Sequence, residues 1–250
     1  MKVLATYNIK GGVGKTATAV NLAWIAAREG HKTLVWDLDP QGAATFYFRV
    51  SPKVKGGGDR LVRGKRELDA LVKGSDYAGL DLLPADFSYR NLDLALADAK
   101  RPERRLDKLL RPLEESYDLV FLDCPPSISL VSESVFHAAD ALVVPLIPTT
   151  LSLRTYEQLG GHLDDEGLDR PTILAFFSMV DRRRRLHRET VDELLARDPR
   201  LLRTEIPYSS TVEQMGLHRA PLGSYAPHSP VAQAYERLWT EVWGRTGGDR

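Results

Sequence analysis

The segment Lys10-Gly11-Gly12-Val13-Gly14-Lys15-Thr16 constrains this chain more than any other. It stands between a short apolar run, Lys2 to Tyr7, and a stretch of helical period from Lys15 to about Glu29. That stretch sets Ala19, Leu22, Ala23, Ala26 and Ala27 on one face and meets Gly30 as its stop. Glycines at such a junction let backbone N–H groups turn inward, and the helix that follows adds the positive end of its dipole, so the loop is shaped for phosphate. In this arrangement Lys15 reaches the β- and γ-phosphates and Thr16 ligates Mg²⁺. A strand feeding a helix in this way selects an α/β architecture.

The rest of the chain repeats the pattern. Runs rich in Val, Leu and Ile predict strands at Lys2–Tyr7, Thr33–Asp37, Leu80–Pro84, Leu119–Asp123, Ala141–Pro145, Thr172–Ser178 and Leu202–Ile206, with helices between them. The expected fold is a mostly parallel, doubly wound sheet with helices on both faces, forming one domain over residues 1–250 with a disordered tail from about 246. Val50–Gly79, with Pro52 and the triple glycine Gly56–Gly58, reads as a surface excursion.

Lysine plus arginine and aspartate plus glutamate number 34 each, so a polyanionic partner has to be met by a local patch. Cys124 is the single cysteine, which excludes an intrachain disulfide and fits a reducing cytoplasm. No apolar run approaches the roughly 18 residues of a spanning helix, and Lys2–Tyr7 does not read as a leader.

The usual phosphate-loop pattern places glycine where this chain has Ile9, and a second lysine, Lys10, precedes the glycine pair. This K-G-G-x-G-K-T form resembles the deviant Walker A motif of the ParA/MinD ATPase family, and short ParA/Soj-like partitioning ATPases in particular. Asp37-Leu38-Asp39-Pro40-Gln41-Gly42 resembles that family's D-x-D-P-Q-G segment, and Asp118 to Ser127 its Walker B strand and switch. Weaker similarity continues through Leu80–Leu94, Val143–Ser152, Phe177–Arg182 and Glu205–Pro207.

The resemblance implies an ATP site built from Lys10, Gly11, Gly12, Val13, Gly14, Lys15, Thr16 and Ala17, with Met179 and Pro207 in the two loops around adenine. It implies Mg²⁺ near Thr16, Asp37, Asp39 and Asp123, and catalysis by Asp39, which positions water, and by Lys10, which reaches the partner's ATP across a homodimer interface. Three departures stand out: Ala17 replaces a second threonine, Tyr208 stands where arginine is common, and no DNA-reading domain precedes the first strand. Cys124 reads as a buried structural thiol.

From Arg182 to Arg188 five of seven residues are arginine. Arg182, Arg183, Arg184, Arg185 and Arg188, joined by Arg203 and Arg219, are candidates for a phosphate-binding patch without sequence preference; a solvated, salt-bridged helix start is the alternative. The apolar stripe of the last helix, Val231 to Arg245, reads as core, with a membrane-surface helix as the alternative. The leading functional expectation is a slow, Mg²⁺-dependent ATPase that dimerises on ATP, binds DNA non-specifically, and positions a plasmid, chromosome or protein cargo. It would be cytoplasmic and nucleoid-associated, and would act with a ParB-like or adaptor protein that stimulates hydrolysis. A MinD-like membrane-associated regulator is the second reading, and a metal-cluster carrier the third, disfavoured because a dimer would hold only two cysteines.

Overall fold

The computed structural model describes residues 1–54, 56–63, 68–168 and 171–247. Seven strands, β1 (Lys2–Thr6), β2 (Thr33–Asp37), β3 (Lys73–Gly74), β4 (Leu80–Leu83), β5 (Leu119–Asp123), β6 (Ala141–Leu146) and β7 (Thr172–Phe177), form one sheet. Their order is β3-β4-β2-β5-β1-β6-β7. All neighbours run parallel except the short β3, which pairs antiparallel with β4 at the edge. The central strands β2 and β5 are buried along their whole length, which explains why they read as continuous apolar runs rather than as alternating ones.

The helices, in chain order, are α1 (Lys15–Arg28), α2 (Ala43–Tyr47), α3 (Gly57–Val62), α4 (Leu92–Ala97), α5 (Arg105–Leu110), α6 (Leu130–Ala138), α7 (Thr150–Asp165), α8 (Arg185–Arg197), α9 (Ser210–Glu213), α10 (Met215–His218), α11 (Leu222–Tyr225) and α12 (Pro230–Arg245). One face of the sheet packs against α3 to α8, the other against α1, α2 and α10 to α12. α1 ends at Gly30, whose φ of +99° lets the chain reverse while Gly30 and His31 donate back to Ala27 and Ala26.

On α12, Val231, Ala234, Tyr235, Leu238, Trp239 and Val242 are buried, and the Trp239 indole N–H donates to Glu29 at the end of α1. The apolar stripe therefore seals the core instead of lying on a lipid surface. No helix among the described residues is long and apolar enough to cross a membrane. In the predicted tail, Thr246 donates its hydroxyl to Val242 and Trp243 and so finishes α12; residues 248–250 lie outside the described residues.

Two expectations need correction. Leu202–Ile206 is not a strand: Leu202 and Ile206 donate to Ala175 and Phe177 of β7, but the N–H groups of Arg203 and Thr204 turn to the Glu241 carboxylate of α12 at 2.7 and 2.9 Å. A side chain from the covering helix thus takes donors that a ladder would need. Nor is Val50–Gly79 merely a surface excursion, because Val54, Leu61, Val62, Leu68 and Leu71 enter the core. The triple glycine serves packing: a Cβ on Gly58 would stand 2.9 Å from both Leu92 and Tyr89.

Candidate nucleotide site

The C-terminal ends of β1, β2 and β5 meet at one edge of the sheet, where open α/β sheets bind ligands. Register sets Thr6 of β1 beside Asp123 of β5, and Asp123 beside Asp37 of β2. Directly after β1 the phosphate loop is already formed. Asn8 ties it down, donating to the Pro145 carbonyl at 2.8 Å and accepting from the Lys10 N–H at 2.9 Å. Gly12 and Gly14 hold left-handed φ values of +71° and +97°. At Gly14 a side chain is doubly unwelcome, since its Cβ would also lie 3.1 Å from Ser178 Oγ at the end of β7. Beside Gly11 and Gly12 the space is open.

Lys15 is 6% exposed, and its Nζ donates to the Lys10 carbonyl at 2.9 Å across the loop. Burial pulls its pKa down, opposed by the nearby charge of Asp123. Lys10 points away from its own loop, its Nζ 3.4 Å from Ser152 Oγ in the first turns of α7. Ala17 lies in the core packing around α1, and Thr16 precedes it at the helix start. Met179, with φ of +55°, follows Ser178 and comes within 4.0 Å of the position a Gly14 Cβ would take. A parallel bridge between Val180 and Pro207 brings Pro207 alongside that turn. The loops carrying Met179 and Pro207 are thus neighbours, and Met179 reaches the phosphate loop.

The three carboxylates differ in their surroundings. Asp123 is fully buried; one oxygen accepts weakly from Thr6 Oγ1 at 3.3 Å, and the other has no hydrogen-bond partner. Burial, then the charge of Asp37, drives its pKa well up. Asp37 is fully satisfied: Oδ2 accepts from the Thr45 N–H at 2.8 Å and the Thr45 hydroxyl at 2.7 Å, and Oδ1 from the Asp39 N–H. Burial raises it to about 6, against the opposing effect of the Thr45 bonds. Asp37 therefore anchors α2 and the intervening loop. Asp39 is half-buried in that loop and accepts from the Gln41 N–H at 2.9 Å.

An orphaned, wholly buried carboxylate oxygen suits a divalent cation or its bound water. Among the described residues no cluster of three His, Cys, Asp or Glu side chains could hold a metal by itself. The donors fit magnesium, which keeps most of its waters and takes few protein ligands beside substrate phosphates. Thr16, Asp123 and Asp39 are the residues that would hold it, with Asp37 beside Asp123 to support its waters.

Residues that sequence reasoning missed include Thr45, Ser152, Ser178 and Asn8. Thr45 left a trace, a hydroxyl residue in the first turn after Gly42, eight positions beyond Asp37, and Ser152 and Ser178 lie in segments that the resemblance matched without a role for either.

Most of the basic candidates have local partners. Arg182 is clamped between Glu205 and Asp192, Arg183 and Arg184 face Asp181, and Arg185 faces Glu189. Arg188 donates to the Arg182 carbonyl. Arg203 donates to Leu195 near the other end of α8. Arg219 lies on the Phe46 ring, 4.5 Å from its centroid, beside α2. Cys124 is free and buried, with its pKa pushed up by burial.

Residues 1–165 match the family described as an AAA domain. The whole chain is 36% identical to the chromosome-partitioning ATPase Soj of Thermus thermophilus over 247 residues, covering 97% of this chain and 95% of the relative. The chain belongs to the ParA/Soj family of partitioning ATPases. The family's chromosome partitioning protein ParA of Caulobacter vibrioides is 31% identical over 257 residues, 98% of this chain and 95% of the relative. Among solved structures, a Mycobacterium smegmatis cobyrinic acid a,c-diamide synthase with bound ATP analogue and magnesium superposes with a TM-score of 0.80 at 26% identity, covering 100% of this chain and 97% of that one. A Cyanothece McdA complex with ATP shares the fold, with a TM-score of 0.85 at 21% identity over 100% of this chain and 98% of that one. The ParA/Soj assignment thus joins a family match to the fold and to a loop with two lysines.

Proposed function

We propose that residues 1–250 form a single ATPase domain that binds ATP and Mg²⁺, dimerises on ATP, hydrolyses it slowly, and positions a cargo on the nucleoid by non-specific DNA binding. The observation that carries this reading is the unpartnered Asp123 oxygen, buried beside a phosphate loop whose second lysine, Lys10, extends its side chain to Ser152 of α7. Lys15 and the loop N–H groups hold the phosphates, and positioning with electrostatic stabilisation accounts for most of phosphoryl-transfer catalysis. Asp39, carried on a loop fixed at one end by the Asp37–Thr45 bonds, orients the attacking water. Magnesium, when bound, supplies charge neutralisation at the phosphates. Lys10 exchanges Ser152 for the partner's phosphates when two copies meet, so hydrolysis waits for the dimer.

The relatives' names support a partitioning role, with DNA as track and a ParB-like or adaptor protein stimulating turnover. The arginines of α8 suit a weak DNA surface, because exposed ion pairs are worth only about 0–1 kcal/mol and a phosphate can displace them. The test measures hydrolysis and, by size-exclusion chromatography, dimerisation of wild type and Asp39→Ala with ATP. Asp39→Ala should bind ATP and accumulate as dimer without turnover; equal hydrolysis in the two proteins would overturn the assignment.

A further inference from the structure

A second, strongly basic cleft lies away from the nucleotide site. It measures about 670 Å³ and is walled by α4, α5 and the turn between them, with seven cationic residues against two acidic ones, Asp98 and Asp107. The acids are already used: Asp98 pairs with Arg63 and Asp107 with Arg111. Among the described residues no ion pair engages Lys100, Arg101, Arg104 or Lys108. Arg101, Arg104 and Lys108 are exposed and all line the cleft, Lys108 from α5 and the two arginines from the turn that leads into it. Arg104 and Lys108, four residues apart at the start of that helix, repel each other, a cost that an anionic occupant removes. The field is felt by His137, whose pKa is lowered by burial and then by Arg104.

The cleft is not purely ionic. Val62 and Ala95, both buried, form part of its lining with Ala99 and Pro112. A second cleft of about 280 Å³ adjoins the first, sharing Arg63, Ala95 and Asp98 with it. Leu94, 72% exposed, lines the second. The first cleft carries the cations, and the second, otherwise lined mainly by polar residues, adds one large exposed apolar side chain, Leu94.

We propose that this groove binds an acidic, amphipathic peptide segment of a partner protein, its carboxylates facing Arg101, Arg104 and Lys108 and an apolar side chain covering Leu94. Duplex DNA fits the features less well. A duplex is too broad to enter the cleft and keeps its apolar bases stacked inside, so it would leave Leu94 and the apolar lining uncovered. The proposal rests on α4 and α5 and is independent of the nucleotide site.

Fluorescence anisotropy of a labelled peptide of repeating Glu-Glu-Leu units tests it, with a Lys-Lys-Leu peptide and a labelled random duplex as comparisons. Wild type should bind the acidic peptide with an affinity that falls as salt rises, and should ignore the basic one. The triple variant Arg101→Glu, Arg104→Glu, Lys108→Glu should weaken acidic-peptide binding by about tenfold or more, since each exposed contact is both lost and reversed. Leu94→Ala should weaken it by a smaller factor at a salt slope equal to wild type. Both variants change exposed side chains, so circular dichroism and basal ATP hydrolysis should match wild type. Failure of wild type to bind the peptide, or equal binding by the triple variant, would overturn the proposal. Loss of duplex binding in the triple variant without peptide binding by wild type would reassign the cleft to nucleic acid.

Discussion

Thr45→Val isolates the bond network that fixes the loop carrying Asp39. Thr45 is fully buried, and its hydroxyl donates to Asp37 at 2.7 Å while accepting from the Ala85 N–H at 2.8 Å. Valine keeps the volume and removes both bonds. Loss of a hydrogen bond to a charged group costs about 1.5–3 kcal/mol, and an orphaned buried N–H about 1–3 kcal/mol more. The expected destabilisation is about 3–5 kcal/mol, a large part of the roughly 5–15 kcal/mol available to a folded domain. Urea unfolding measures it: the midpoint should fall with the slope unchanged, because the surface exposed on unfolding is the same. Thr45→Ser keeps the hydroxyl and loses one methyl group, so it should cost only about 1 kcal/mol. If the valine variant were as stable as wild type, or more stable than the serine variant, the clamp would not exist as described.

Gly223→Ala should destabilise strongly, at about 3 kcal/mol, because the added Cβ would stand 2.1 Å from the Trp24 ring; Trp24→Leu in the same chain should recover much of the loss in thermal unfolding. Lys10→Ala should leave ATP binding by the monomer intact and reduce the ATP-dependent dimer in size-exclusion chromatography; an unchanged dimer peak would return Lys10 to a solvated role. Asp37, raised to about 6, and Asp123, also raised, hold protons more tightly folded than unfolded, so the nucleotide-free protein loses stability as pH rises through the folded values. From pH 5 to pH 7 Asp37 alone should remove about 1 kcal/mol, and Asp37→Asn should flatten that part of the urea profile.

The phosphate loop and α1 were legible because every cue agreed: apolar run, glycines, Lys-Thr, helical period and a terminal glycine. The buried strands were legible because both faces are covered and the apolar runs are unbroken. Leu202–Ile206 has the same composition, yet its outcome depends on Glu241, nearly forty residues later, which no local pattern reveals. Asp37 and Asp39 share a motif and a side of the strand, and only the fold shows that Thr45 occupies one of them. The arginines before and at the start of α8 announced themselves as a run, but each of Arg182, Arg183 and Arg185 is paired with a different acidic neighbour. Six of the seven cations of the α4–α5 cleft lie within Lys100–Arg111, but they are interleaved with Leu106, Leu109 and Leu110 and read as the outer face of an ordinary helix until Arg63 comes beside them.

The bond from Lys15 to the Lys10 carbonyl has a practical consequence for genetics and biochemistry. This lysine bridges the loop within the protein itself, so it holds the loop together as well as facing phosphate. An alanine at this position, the habitual inactive control for a nucleotide-dependent process, would start from a loosened loop as well as lacking a ligand contact. Its phenotype in a cell would then combine failure to bind with a shorter-lived protein, and abundance has to be measured before the defect is ascribed to ATP alone.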